Sequence, residues 1–106
     1  MSAGQKRLAV LELILGGCVG DSVLTNTTDT ELLAALDQHP TAPSVRFHVG
    51  GRLVAPSSES PDQVRELAMQ RNVNVRTGRG FIAIALWDDV AQRNAVLVAR
   101  DFRSPL

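Results

Sequence analysis

At 106 residues, 44% apolar and 21% charged, the chain has the composition of one globular α+β-sized domain and too little length for two independent cores, which excludes disordered and fibrous classes. Eleven basic residues balance eleven acidic ones, so the strongly basic footprint of a dedicated nucleic-acid binder is missing. The lone Cys18 excludes an intrachain disulfide and fits a reducing cytoplasm.

The first apolar run, Leu8 to Leu15, reads either as a strand or as a helix, and the choice sets the topology. As a strand it gives an antiparallel sheet with two helices on one face, the ferredoxin-like order β-α-β-β-α-β-β. As a helix, with Ser2-Ala-Gly-Gln5 as its capping box and Gly16 as its stop, it gives the cystatin-like cone α-α-β-β-α-β-β-β, a plan that can enclose a ligand pocket. Arg7 to Cys18 has the outline of an export leader, but Glu12 interrupts the apolar run, and the run is too short to span a bilayer; neither export nor membrane insertion is expected. Gly16 to Thr28 is long for a simple connection and suits a lid or contact loop; Asn26-Thr27-Thr28 within it reads as a polar loop, not a glycosylation site.

Thr28-Asp-Thr-Glu31 and Ser60-Pro-Asp-Gln63 are capping boxes, each opening a helix. The first helix is expected over Asp29 to Gln38, with Leu32, Leu33, Ala35 and Leu36 on one stripe, and the second over Pro61 to Arg71, with Val64, Leu67 and Ala68 inward. Between them, Val45 to Val49 alternates, Gly50-Gly51 turns, and Arg52 to Ala55 returns, a hairpin. After the second helix, Val73 to Val75, Phe81 to Trp87 and Ala95 to Phe102 make an antiparallel meander, with Asp88 to Asn94 as a turn. The runs from Phe81 and Ala95 are apolar on both faces, more than one helical layer covers, so a homodimer through the sheet is expected. Residues 1–106 thus form a single α+β domain.

Cys18, His39 and His48 stand apart, without spacings that preset metal geometry, and no metal or cofactor is expected. Gly16-Gly-Cys-Val-Gly20 lacks the lysine and hydroxyl of a phosphate loop. Ser57-Ser58-Glu59-Ser60 is a polar helix lead-in, and the side chains of Asp88-Asp89 point apart, against shared-proton chemistry. An enzyme requires the cone plan, with Glu12 or Asp101 facing a pocket beside His48 as general base. Exposed stacking aromatics for RNA are lacking, since Phe47, Phe81, Trp87 and Phe102 are the only aromatics. No stretch carries a family signature specific enough to name.

One stretch stands out. Arg71 to Phe81 places Arg71, Arg76 and Arg79 around Gly78 and Gly80, with no acid from Leu67 to Trp87 to neutralise them. The glycines can present backbone amides in a concave nest flanked by guanidiniums, a ligand site for an anion or a nucleic-acid backbone at Arg71, Arg76, Gly78, Arg79 and Gly80. The alternative is a hairpin whose glycines serve the turn and whose arginines serve solubility. On this sequence the chain is a small cytoplasmic binding or regulatory module, more readily than an enzyme, with a protein-interaction subunit using its apolar strands as a further possibility.

Overall fold

The computed structural model describes residues 24, 26–49 and 54–103. In chain order these hold α1 (Asp29–Asp37), β1 (Ser44–His48), β2 (Val54–Ser57), α2 (Pro61–Arg71), β3 (Arg76–Gly78), β4 (Phe81–Asp88) and β5 (Arg93–Arg100), an α+β domain. The strands form one sheet in the order β2-β1-β5-β4-β3, and every pairing is antiparallel.

Both helices start as their local chemistry dictates. The Thr28 hydroxyl accepts from the Glu31 amide at 3.1 Å while the Glu31 carboxylate accepts from the Thr28 amide at 2.8 Å. Ser60 and Gln63 repeat the exchange at 3.3 and 2.7 Å, with Pro61 in the first turn, where no amide donor is needed. Asn72 ends α2 in the left-handed region at φ 55°, donating to the Ala68 and Met69 carbonyls. The C-terminus of α1 is closed from a distance: the Arg100 guanidinium on β5 donates to the carbonyls of Leu36 (2.6 Å), His39 and Ala42 (both 3.2 Å).

The two helices cover opposite faces of the sheet. Phe81, Ala83 and Ala85 of β4 and Val96 and Val98 of β5 pack with Val45 under Leu32, Ala35 and Leu36 of α1. The alternate residues Ile82, Ile84 and Leu86, with Leu97 and Ala99, pack under Val64 and Ala68 of α2. This three-layer arrangement corrects the expectation of two helices on one face. It also answers the apolarity of β4 and β5 within the chain, one helix to each face, so that burial of these strands does not call for a second copy. Each fully buried aliphatic or aromatic side chain contributes about 1.5–3 kcal/mol on this scale.

The described pairings do not establish the ferredoxin-like order, whose first strand would be residues 8–15; Ser44–His48 pairs antiparallel with both Val54–Ser57 and Arg93–Arg100. The described elements follow the sequence α-β-β-α-β-β-β of the cone alternative, but with a helix on each side of the sheet in place of a one-sided cone. Residues 8–15, on which that choice was expected to turn, lie outside the described residues, as do Cys18 and the Gly50-Gly51 turn. One strand is displaced from its expected position, β3 being Arg76–Gly78 and not Val73 to Val75; the second strand of the hairpin is described over Val54–Ser57, and Arg52 and Leu53 of the expected strand lie outside the described residues.

Candidate binding surface

The arginine and glycine stretch is a hairpin, with Gly78 opposite Phe81 and Arg79-Gly80 as its two-residue turn. Gly80 adopts φ 84°, a geometry that glycine takes without steric cost. Gly78 serves packing. It is buried, and a Cβ there would overlap Cε2 and Cζ of the fully buried Phe81 ring and lie 3.2 Å from its Cδ2.

Arg76 also has a structural occupation. Its side chain is 26% exposed, and its guanidinium donates to the carbonyl of Leu24 at 2.7 Å, to the carbonyl of Thr27 and to the carboxylate of Asp29, tying β3 to the start of α1. Arg76 pairs with Ala83 and so belongs to the α1 face, whereas Arg71 is on α2, which covers the other face. Arg71 and Arg79 are exposed and make no ion pair among the described residues. The fold therefore places Arg76, Gly78, Arg79 and Gly80 on one hairpin and Arg71 at the end of α2, with Arg76 on the α1 face of the sheet and Arg71 on the helix that covers the other.

Two carboxylates elsewhere sit in polar clusters that no sequence spacing announced. Buried His48, at the end of β1, makes a 2.8 Å hydrogen bond through Nε2 to Asp88 Oδ2, and Asp88 Oδ1 accepts from the amides of Val90 (3.0 Å) and Ala91 (3.1 Å) in the β4–β5 turn. The His48 bond, followed by the Ala91 amide, holds the Asp88 carboxyl below its ordinary range. Asp101 is 1% exposed; burial pushes its carboxyl up, but the donors Arg65 (2.9 Å) and Arg103 outweigh this and hold it down. Arg103 also reaches Asp62 at 2.8 Å, closing a four-residue ion network at the start of α2. The general-base pair considered from the sequence, His48 with Asp101, is separated: His48 is level with Ala95, six residues before Asp101 on the β5 side, roughly 20 Å along an extended chain. Among the described residues no group of three or more His, Cys, Asp or Glu could hold a metal ion, and no helix is long and apolar enough to cross a membrane.

An open groove of about 570 Å³ runs beside α2. Arg65, Ala68, Met69 and Asn72 recur at i, i+3, i+4 and i+7 and make one wall; Val73 and Val75, leading into β3, make the other. Met69 is 81% exposed and Val75 39%. Val75 leads directly into β3, which among the described residues is the last strand of the sheet on that side. Sequence reasoning passed over Met69, although a signal was present: it is an apolar residue lying off the inward stripe of Val64, Leu67 and Ala68.

Comparison with protein-family models, curated proteins and solved structures returns no match, so function is read from this geometry.

Proposed function

We propose that this domain is a binding module that receives a segment of a partner protein in the groove between α2 and the sheet edge at β3. The observation that carries this is the groove itself, whose rim leaves the long apolar side chain of Met69 81% exposed. A binding role in the reducing cytoplasm, expected from the lone cysteine, remains part of the proposal. The three-arginine anion site is the weaker reading, because the Arg76 guanidinium already serves Leu24, Thr27 and Asp29.

The test is a selection of displayed random octapeptides against the intact chain, followed by an amide-resolved NMR titration with those recovered. Binders are expected to shift Ala68, Met69, Asn72, Val73 and Val75, and Met69→Glu is expected to abolish binding while leaving the melting temperature unchanged, since this side chain packs little against the core. Recovery only of peptides indifferent to Met69→Glu would refute the groove. A fluorescent oligonucleotide bound at low salt, with shifts at Arg71 and Arg79 and none in the groove, would restore the anion reading.

A further inference from the structure

We propose that Met69 is a reversible oxidation site on the groove wall: its thioether takes one oxygen atom from a hydroperoxide, and the sulfoxide so formed closes the groove to its partner segment. The proposal rests on the groove reading above and adds the regulation of that site.

Three observations converge on this sulfur. The Met69 side chain is largely exposed, so an oxidant reaches it without any opening of the fold. It lies in the groove wall with the apolar side chains of Ala68, Val73 and Val75, where the apolar groups of a partner meet it. It is also the only sulfur in the groove lining; the other two sulfur-bearing residues of the chain, Met1 and Cys18, lie outside the described residues.

The reaction balances between the two reactants. A sulfur lone pair attacks the terminal oxygen of the hydroperoxide, the S–O bond forms as the O–O bond breaks, and the remaining oxygen leaves as water from hydrogen peroxide or as an alcohol from an alkyl hydroperoxide. Sulfur loses two electrons and the peroxide gains them. The return uses two thiols: the sulfoxide oxygen leaves as water and the thiols close to a disulfide, the reaction that methionine sulfoxide reductases catalyse.

The effect falls on binding and spares the fold. Oxidation turns an unbranched apolar side chain into a polar one, and covering its new acceptor oxygen with apolar groups costs that oxygen its hydration. Val64 and Ala68, which hold α2 on the sheet, are buried and carry no sulfur, whereas Met69 lies outside that packed cluster.

The test treats the intact chain, carrying Cys18→Ser to remove the competing thiol, with hydrogen peroxide, followed by tryptic digestion and mass spectrometry. One added oxygen is expected on the peptide from Glu66 to Arg71, which separates Met69 from Met1. The oxidised protein should keep its melting temperature and bind a Met69-dependent octapeptide about tenfold or more weakly, with full affinity restored by the two epimer-specific methionine sulfoxide reductases and dithiothreitol. Met69→Leu, a hydrophobe of similar volume without a thioether, should bind that octapeptide alike before and after peroxide. Equal affinity of the oxidised and reduced proteins, a loss that also occurs in Met69→Leu, or a fall in melting temperature on oxidation would overturn the switch while leaving the groove in place. Octapeptides indifferent to Met69→Glu would overturn the groove reading and the switch with it.

Discussion

Gly78→Ala tests whether a residue that looks like part of an anion nest is held by packing. Its Cβ would enter the volume of the Phe81 ring, which is fully buried under α1 and cannot swing into solvent. Overpacking of this kind costs about 1–3 kcal/mol, partly offset by the 0.5–1 kcal/mol gained when a strand glycine becomes alanine. A net loss of about 1–2 kcal/mol is expected, a fall in melting temperature of roughly 4–8 °C for a domain of this size, measured by circular dichroism and urea titration. Phe81→Leu removes the ring edge, so the double variant should be less destabilised than the sum of the two singles, by a coupling of about 0.5 kcal/mol or more. Undiminished stability of Gly78→Ala, or strict additivity with Phe81→Leu, would refute the packing role of Gly78.

Arg76→Met keeps the aliphatic stem and removes the donors to Leu24, Thr27 and Asp29; two carbonyls at the start of α1 lose a partner, and a loss of about 2–4 kcal/mol is expected by urea titration, with peptide binding in the groove retained at a temperature where the variant is folded. Asp88→Asn should destabilise the fold at neutral pH and do so progressively less in acid: the folded-state pKa of Asp88 is depressed, so its contribution is present above the unfolded value near 3.9 and is lost as pH falls through the lower folded value. Stability curves of the two proteins that stay parallel from pH 7 to pH 2 would contradict this.

Local chemistry was legible and tertiary pairing was not. Thr28 and Ser60 announced their helices because a capping box is complete within four residues. The apolar runs of β4 and β5 were equally plain, but a strand buried on both faces fits either a dimer or a helix on each side, and no local pattern separates these. The position of β3 was missed because Val73-Asn-Val75 alternates as well as any strand, while Arg76, a polar residue in ordinary reckoning, is drawn inward by carbonyls 49 to 52 residues away. His48 and Asp88 meet across 40 residues, and Arg100 caps a helix 61 to 64 residues earlier in the chain, so neither had a sequence signal. Gly78 and Gly80 look alike in sequence; one answers to a neighbouring ring and the other to its own φ.

The claim that the α2–β3 groove is the recognition surface is tested most directly by the amide-resolved NMR titration of the intact chain with a selected octapeptide, run beside Met69→Glu. Shifts confined to Ala68 to Gly78 that vanish in the variant are expected. Shifts centred on His48 and Asp88, or shifts in the groove that persist unchanged in Met69→Glu, would contradict it.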